Sequence, residues 1–482
     1  MYIGIDIGTS EVKALLLAPD QRVIGTAGAP LSVSRPQPGH SEQDPADWWR
    51  ATQAALVRLR AEHPAEYAAT VAVGLSGQMH GAVLLDAQDQ VLRPAILWND
   101  TRSAPQCDEM MAELPGLSEL GGNLAMPGFT APKLRWVARH EPEVFQRVAR
   151  VLLPKDHVRL MLTGEHVSDL SDASGTLWLD VQRRDWSDEL LALTGLSRAH
   201  MPRLVEGSEP SGRLRAEVAQ RLGLPPGTLV AGGAGDNAAS AVGMGAVQPG
   251  QGFLSLGTSG VLFVVTPSYQ PNAASATHAY CHAVPGRWHQ MSVMLSAASA
   301  LQWLAGVLGA ATTGEVAARA AQLDSAGRAA SPLFLPYLSG ERTPHNDAQV
   351  RGSFHGLDFD TDAARLAYAV MEGVSFGLAD GLAALQAAGS QVQRLSLVGG
   401  GARSAFWAQM LASALGVEIL THGGSAVGGA LGAARLGALC TGAPLAEVCV
   451  PPPIDTLYSP EPGERALLAP RLNLFRSLYR RP

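Results

Sequence analysis

Asp6 stands beside a turn in a way that suits phosphate chemistry. It lies between Ile5 and Ile7 in an alternating stretch that leads directly into Gly8-Thr9-Ser10. A carboxylate buried in such a strand without a partner is costly. It therefore either accepts backbone N–H groups of the turn or holds Mg²⁺, through water, beside phosphates. Both interpretations remain open from the residues alone, and the adjacent turn favours the metal.

Asp236 lies where an apolar strand passes into a helix. Residues 228–231 predict a strand, residues 232–235 a glycine-rich loop, and residues 237–244 a helix. In this position Asp236 could be the N-cap of the helix. The carboxyl end of a strand in an open α/β sheet also faces the ligand crevice, where a carboxylate can take the proton of an attacking hydroxyl. The two interpretations are compatible with one geometry.

Two common nucleotide motifs are excluded. The run GAGDNA at 233–238 matches G-x-G-x-x-A, but no Asp or Glu occurs between Asp236 and Glu315. The acid that a dinucleotide site places about 20 residues further on is therefore missing. The chain has three lysines, at positions 13, 133 and 155, and none of them belongs to a P-loop.

A Gly-Thr-Ser turn between two apolar strands occurs twice, at 8–10 and at 257–259. Successive backbone N–H groups in a tight turn form a concavity that binds anions, and small side chains let a phosphate approach. The two hairpins could together contact a triphosphate. The residues predicted for this role are Thr9, Ser10, Gly257, Thr258 and Ser259.

A glycine-rich loop at 399–401 follows a predicted strand at 395–398 and precedes a helix. Glycines at a helix N-terminus let a phosphate or a flat ring lie against the backbone. As a lone loop the signal is weak, but beside a phosphate-binding hairpin it predicts an adenosine contact at Gly400 and Gly401.

Two loops carry amide, imidazole, indole and carboxylate groups, a mixture suited to a polyhydroxylated small molecule. The candidate substrate contacts are Gln78, Met79, His80, Trp98, Asn99 and Asp100. A single loop histidine is more often simply solvated, so the cluster carries the prediction. His278, His282 and His289 also lie close in sequence, but no acid accompanies them, which disfavours a metal site.

Predicted strands alternate with predicted helices in both halves of the chain, which is typical of α/β layers, and the opening hairpins indicate mixed sheets. Because the same strand–turn–strand pattern opens each half, we predict an internal duplication. Strands are predicted at 2–7, 12–17, 71–75, 82–85, 151–153, 228–231, 253–256, 261–265 and 395–398. Helices are predicted at 45–60, 132–139, 291–308, 315–323, 363–388, 405–415 and 461–479.

Composition restricts the function classes. The 482 residues carry a formal net charge of -7, which disfavours binding to nucleic acid through a basic face. Four cysteines without C-x-x-C spacing are typical of a reducing compartment. The first residues lack the pattern of a signal peptide, and no long apolar run suits a membrane span. These features predict a soluble cytoplasmic protein.

The chain resembles the FGGY family of carbohydrate kinases over nearly its whole length. The motifs that carry the resemblance are GIDIGTS (4–10), SGQMHG (76–81), ILWNDTR (96–102), GFTAPKLRWVARH (128–140), LLPKDHVRL (152–160), GDNAASAVG (235–243), SLGTSG (255–260), YLSGERTPH (337–345) and GGGARS (399–404). Within the family, the QMHG loop most resembles members that act on D-xylulose.

The resemblance implies two duplicated RNase H-like domains of the actin/Hsp70 ATPase type around a central cleft. It implies limits of 1–245 and 252–440 for these domains, with a C-terminal tail and closing helix at 441–482. It implies phosphorylation of D-xylulose by ATP and Mg²⁺, with Asp236 as base on the 5-hydroxyl and Asp6 as the metal residue. The sugar would contact the QMHG and WND loops, and ATP the Thr258 hairpin and Gly400-Gly401. A homodimer is implied by the resemblance alone.

Other substrates and one other class stay open. The same fold could phosphorylate ribulose, fuculose, gluconate or glycerol, or could serve as a sugar sensor without catalysis. Two departures from the family pattern are Arg365, where a polar residue other than arginine is usual, and Ser425-Ala426-Val427, where an acid is often found. The small-residue run 423–437 predicts close helix packing at a hinge.

Overall fold

The computed structural model describes residues 1–423 and 428–479 and contains two seven-stranded mixed sheets. The first sheet consists of β1 Tyr2–Ile7, β2 Glu11–Leu17, β3 Val23–Pro30, β4 Ala72–Gly77, β5 Pro210–Arg213, β6 Leu229–Ala231 and β7 Ala234–Gly235. The second consists of β8 Gly252–Leu256, β9 Gly260–Thr266, β10 His278–Cys281, β11 Trp288–Met294, β12 Arg394–Val398, β13 Glu418–His422 and β14 Ile454–Tyr458.

The two sheets repeat one arrangement. The first has the order β3-β2-β1-β4-β6-β5 and the second the order β11-β9-β8-β12-β13-β14. Neighbours along both paths are antiparallel, antiparallel, parallel, parallel and antiparallel. In addition β7 pairs with β4 and β10 with β11. The predicted duplication and the mixed α/β fold class are therefore confirmed.

Helices cover both sheets. The longer ones are α1 Pro45–Glu62, α2 Ala104–Glu113, α3 Thr130–His140, α4 Pro154–Thr163, α5 Asp236–Gly243, α6 Ala298–Val307, α7 Thr313–Ala321, α8 Ala363–Ala387, α9 Ala405–Leu415, α10 Gly429–Cys440 and α11 Pro462–Leu478. Shorter ones span Pro64–Ala68, Leu117–Gly121, Pro142–Phe145, Leu170–Ser174, Asp188–Ala192, Ala216–Leu222, Ser325–Ala329 and Leu445–Val448.

Short two-stranded ladders complete the connections. The pairs are Glu42–Gln43 with Ala95–Ile96, Val83–Leu85 with Arg150–Leu152, Val167–Asp169 with Arg203–Val205, Leu179–Asp180 with Asp185–Trp186, and Leu333–Leu335 with Ser353–His355.

Local chemistry explains the long helices. The side chain of Asp44 accepts the N–H of Ala46 and Pro45 occupies the first turn of α1, both favourable at a helix start. One face of α1 buries Trp48 and Leu59 in the same core as the isoleucines of β1. Residues buried on that face hold α1 against the first sheet.

Helix α10 belongs to the second half of the chain but lies on the first sheet, against β1, β4 and α5. A Cβ built on Gly4 would stand 1.9 Å from a main-chain oxygen of α10, and one on Gly74 would stand 1.7 Å from another. These glycines therefore let the helix backbone touch the sheet. The prediction of close helix packing is confirmed for 428–437, and residues 424–427 lie outside the described part of the chain.

Most predicted elements are confirmed, and one helix is wrong at its start. Residues 405–415 form α9 as predicted, but the helix predicted at 291–308 begins only at Ala298. Residues up to Met294 form β11 instead, paired antiparallel with β9. An apolar run can suit either element, and here pairing with a neighbouring strand decided it. In the described ranges, no helix has the length and apolar character needed to cross a membrane.

Candidate functional site

Two cavities meet at the second Gly-Thr-Ser hairpin. The larger has a volume of about 760 Å³ and is lined by residues of the second half of the chain. The smaller has a volume of about 290 Å³ and is lined by both halves. Gly257 and Thr258 line the large cavity, whereas Ser259 lines the small one. One turn therefore borders both spaces.

The large cavity is bounded by the second hairpin, helices α6, α7 and α9, and the glycine loop. Gly400 and Gly401 line it, as does Phe406 of α9. A Cβ on Gly401 would come within 2.3 Å of Leu256 Cδ2, so a larger residue would displace this wall. Gly399 has a φ of 92°, which other residues rarely adopt. The structure brings together Gly257, Thr258, Gly400 and Gly401 at this cavity, whereas Ser259 lines the small cavity.

Asp236 lines the small cavity as the first residue of α5. The N-cap is Gly235, so the predicted cap role of Asp236 is wrong. Its Oδ1 instead accepts from the N and Nδ2 atoms of Asn237, at 2.8 Å and 3.0 Å. A Cβ on Gly235 would stand 2.8 Å from Met79 Cγ, so glycine is needed for this close approach. Burial, followed by the negative charge of Asp6, raises the pKa of Asp236 to about 7.

The carboxylate of Asp6 lies near the start of α10. Ser76 of the neighbouring strand β4 donates its Oγ–H to Asp6 Oδ1 at 2.8 Å. A Cβ on Gly429 would stand 2.7 Å from the same carboxylate oxygen, so the helix begins in direct contact with the acid. Burial raises the pKa of Asp6 above its usual value, and the Ser76 hydrogen bond partly offsets this. Asp6 and Asp236 are therefore electrostatically coupled carboxylates.

The loop that carries His80 is held in an unusual conformation. His80 has a φ of 69°, in the left-handed region. Its carbonyl accepts from Lys133 Nζ at 2.8 Å and from Thr130 Oγ1 at 3.2 Å, which stabilises that backbone. Its Nδ1 lies 2.6 Å from the carbonyl of Gly175, so Nδ1 carries the proton and Nε2 is an acceptor. Burial lowers the pKa of His80 to about 3, so the ring is neutral.

Three of the six predicted sugar residues line the small cavity: Met79, His80 and Trp98. Gln78 and Asp100 do not. Gln78 supports the first hairpin through hydrogen bonds to Thr9 Oγ1 and the carbonyl of Gly8.

The carboxylate of Asp100 is fully used elsewhere. It accepts the main-chain N–H of Ser41 at 2.6 Å and forms an ion pair of 2.7 Å with Arg102, where both side chains are buried. Asn99 is not a lining residue either, although its Oδ1 is buried without a partner among the described residues. The sugar contact expected of Asp100 stays a prediction, and the buried ion pair with Arg102 leaves this carboxylate little capacity to accept from a ligand.

The first hairpin faces the small cavity through its neighbours. Thr9 Oγ1 donates to Gln78 Oε1 at 2.9 Å and accepts from Trp98 Nε1 at 3.0 Å. Ser10 is exposed and its carbonyl accepts the N–H of Leu31. Neither residue lines the large cavity. Neither residue lines the small cavity either, so the joint contact of the two hairpins with a triphosphate stays a prediction.

A buried ionic cluster lies behind the loop that precedes Asp236. Lys155 Nζ stands 2.7 Å from Asp156, 2.6 Å from Asp169 and 2.9 Å from Asp172, and all these side chains are inaccessible to solvent. Arg159 is the second cation of the cluster. Burial raises the pKa of Asp172 well above its usual value, and the charge of Lys155 opposes this shift.

Arg159 connects this cluster to the loop that precedes Asp236. It donates to the carbonyls of Ala231 and Gly232. Ser171 Oγ, held by Asp169, accepts the N–H of Gly235 at 3.2 Å. Arg159 of the motif LLPKDHVRL therefore fixes the start of the segment that leads into α5, and Ser171 fixes its end.

Sequence reasoning did not assign several residues that line the small cavity: Phe129, Asn237, His278, Tyr280 and Arg342. Asn237 and Arg342 belong to the motifs GDNAASAVG and YLSGERTPH, and these motifs could have indicated both residues as part of the site. His278 was considered for a metal, but no group of three His, Cys, Asp or Glu residues suited to a metal occurs in the described ranges.

The two departures from the family pattern lie away from both cavities where they are described. The N–H of Arg365 bonds Asp362, which caps α8, and its guanidinium lies 4.0 Å from Asp358. Ser425, Ala426 and Val427 lie outside the described residues.

Comparison with known proteins gives one consistent result. Residues 1–243 match the model of the N-terminal domain of the FGGY family of carbohydrate kinases, and residues 252–440 match that of its C-terminal domain. The chain is 51% identical over 482 residues to the xylulose kinase of Escherichia coli strain K12, covering 99% of this chain and 98% of that protein.

Solved structures agree. A kinase from Brucella ovis, described as a xyloylose kinase, superposes with a TM-score of 0.96 at 52% identity, covering 99% of this chain and 98% of that one. The xylulose kinase of Rhodospirillum rubrum superposes with a TM-score of 0.93 at 30% identity, also covering 99% and 98%.

Proposed function

The chain belongs to the FGGY family of carbohydrate kinases, and from this premise we propose that it transfers the γ-phosphoryl group of ATP to the 5-hydroxyl of D-xylulose. The observation that carries the proposal is the arrangement of the two cavities. Asp236 lines the small one, and a hairpin suited to phosphate separates it from a space of about 760 Å³, large enough for a nucleotide.

Asp236 is the proposed general base. As the 5-hydroxyl oxygen attacks the γ-phosphorus, its proton passes to the Asp236 carboxylate, and the bond from phosphorus to the ADP oxygen breaks. A base works best when its pKa lies near the working pH. Burial and Asp6 raise the pKa of Asp236 to about 7, which meets this condition.

The residues present fit a magnesium ion. Mg²⁺ is commonly bound by one or two carboxylates together with phosphate oxygens, and Asp6 is a half-buried carboxylate with one oxygen held by Ser76. We propose that Asp6 holds the ion, which would neutralise phosphate charge when bound. The hydrogen bond from Ser76 keeps the carboxylate in a fixed orientation.

On the sugar side, the proposed contacts are Met79, His80 and Trp98. His80 presents an unprotonated Nε2, an acceptor for a sugar hydroxyl, and its backbone is fixed by Lys133 and Thr130. On the nucleotide side, the proposed contacts are Gly257, Thr258, Gly400 and Gly401.

The domain limits remain a proposal: 1–245 and 252–440, followed by a tail at 441–482. Two observations bear on them. Helix α10 from the second domain packs on the first sheet, and β14 from the tail pairs with β13. The tail therefore stabilises the second domain. A homodimer and a cytoplasmic location stay predictions.

The first experiment is ADP release by the purified protein with Mg²⁺ and ATP. The substrate panel is D-xylulose, D-ribulose, L-fuculose, D-gluconate and glycerol. We expect the largest stimulation with D-xylulose, and stimulation by another sugar alone would contradict the proposed substrate.

The same assay tests the base. Asp236→Asn keeps the shape of the side chain and removes the proton acceptor, so kcat should fall by about 10²–10⁴-fold. Asp360→Asn, at an exposed loop position, is the matched control and should leave kcat unchanged. A kcat of Asp236→Asn above about a tenth of the original would show that another group takes the proton.

A further inference from the structure

We propose that Arg342 donates hydrogen bonds to the ketone oxygen of the bound sugar and so makes the small cavity selective for an open-chain ketose over the corresponding polyol. This inference rests on the proposed function, because it assumes a ketopentose whose 5-hydroxyl faces Asp236. It adds a specificity residue from the second half of the chain to proposed sugar contacts that otherwise come from the first half.

The guanidinium of Arg342 lines the small cavity and has few partners. In the described ranges it forms no ion pair. Its Nη1 donates a hydrogen bond to His278 Nε2 at 3.4 Å. The adjacent carboxylate of Glu341 faces the main-chain N–H groups of Leu295 and Arg342 instead. Since a guanidinium carries five N–H donors, most of them remain for a ligand.

A relay of hydrogen bonds orients this guanidinium. Asn123 Nδ2 donates to the carbonyl of Gly121 at 2.9 Å, which fixes its Oδ1 toward His278 Nδ1 at 2.8 Å. The proton of the neutral His278 ring therefore lies on Nδ1, and Nε2 accepts from Arg342. Burial lowers the pKa of His278 well below its usual value, so the ring stays neutral. Asn123 and His278 thus hold Arg342 at the cavity wall.

The chemistry of the substrate requires such a donor. A ketopentose closes into a ring through its 5-hydroxyl, so a sugar with a free 5-hydroxyl is in the open-chain form and has a ketone at C2. A ketone oxygen only accepts hydrogen bonds, whereas the C2 hydroxyl of a polyol also carries a proton, and a guanidinium has no acceptor for it. An enclosed acceptor without a donor costs free energy, whereas a hydrogen bond to a charged donor is among the stronger ones.

The other hydrogen-bond donors of the cavity are neutral side chains, such as Asn237, Ser259 and Tyr280. The amide of Asn237 donates to Asp236, and the hydroxyl of Tyr280 lies 3.4 Å from His278. The unprotonated Nε2 of His80 is an acceptor. Among the described lining residues, Arg342 is the one cation, and it has donors in a planar fork suited to two adjacent oxygens.

The test compares D-xylulose with xylitol and D-arabinitol, which differ from it in having a hydroxyl in place of the ketone at C2. We would measure kcat/KM for all three with the unchanged protein, Arg342→Met and Arg342→Lys. The ratio of ketose to polyol is measured within one preparation, so it does not depend on the fraction of protein that folds.

In Arg342→Met the ratio should fall by about 10- to 150-fold, the range for one hydrogen bond to a charged group. Arg342→Lys keeps a charge but loses the fork. Its ratio of ketose to polyol should lie between those of the unchanged protein and Arg342→Met. Arg351→Met, at an exposed position on the same connecting segment, is the control and should leave the ratio unchanged. If Arg342→Met does not fold, Arg342→Lys alone decides.

An unchanged ratio of kcat/KM between ketose and polyols in the folded Arg342 variants would overturn the inference, whether or not kcat/KM itself falls. Failure of the proposed function appears elsewhere, as the absence of D-xylulose-dependent ADP release by the unchanged protein. The two outcomes are therefore distinguishable.

Discussion

The two Gly-Thr-Ser hairpins share a sequence pattern and a strand arrangement but have different neighbours. The hydroxyl of Thr9 is held between Gln78 and Trp98, on the side of the small cavity. Thr258 instead lines the large cavity, and its carbonyl accepts the Oγ–H of Ser299. Turns of the same sequence therefore lie in different surroundings, because the residues around each turn differ.

The strand before each turn differs as well. Two residues before the turn glycine, the first hairpin has Asp6 and the second has Ser255. In the proposed function, the first half of the duplication contributes an acid to the phosphate region, and the second half contributes a turn. Duplication copied the backbone, and substitutions at equivalent positions divided the chemistry between the halves.

The largest test of this division is Asp6→Asn. If Asp6 holds the metal, its loss removes about 3 kcal/mol of transition-state stabilisation, and kcat should fall by about 100-fold or more at saturating ATP. Steady-state kinetics at several Mg²⁺ concentrations would measure it. Asp20→Asn, at an exposed bend, should behave as the unchanged protein. A kcat within about threefold of the original would place the metal elsewhere.

The pH profile tests the coupling of the two acids. Only the ionised Asp236 accepts a proton, and its pKa is about 7, so kcat/KM should fall about tenfold per pH unit below that value. In Asp6→Asn the negative charge that helps raise this pKa is gone, so the acid limb should move to lower pH. Burial is the larger cause and remains, so part of the shift persists. An acid limb at the same pH in both proteins would show that Asp6 does not act on Asp236.

The smallest effects come from a matched pair at the turns, Thr258→Val and Thr9→Val. The first should raise KM for ATP about 10-fold or more by removing a hydroxyl from the phosphate region. The second should leave KM for ATP unchanged and lower kcat/KM for the sugar by about 2- to 12-fold, because Trp98 loses its hydrogen bond to Thr9.

Separate titrations of ATP and D-xylulose would measure both variants. Melting curves of each variant would control for folding. A rise in KM for ATP in Thr9→Val equal to that in Thr258→Val would show that both turns contact the nucleotide, and would remove the contrast between the hairpins.

Much of the fold could be predicted from the sequence because its signals are local. Alternating apolar residues and a tight turn define β1 and β2, and the same pattern recurs at β8 and β9. The helix error at 291–308 arose where a local signal was ambiguous, because Met291 lies in an apolar run that pairing with β9 turned into a strand.

The site was predicted in part. The motifs place Met79, His80 and Asp236 in the small cavity, as the structure does. They also suggested Asp100, whose carboxylate is consumed by a buried partner, Arg102. No spacing rule distinguishes a carboxylate that faces a ligand from one that is paired, because pairing depends on neighbours brought together by the fold.

The sequence by itself determined the duplicated hairpins, the acids beside them and the family resemblance, since each depends on residues close together in the chain. Tertiary structure alone decided that the second hairpin borders two cavities, that α10 contacts Asp6, and that Arg342 joins Asp236 in one cavity. These relations join residues distant in sequence, and tertiary packing, such as that of α10 on the first sheet, rather than any local pattern, sets the distances between them.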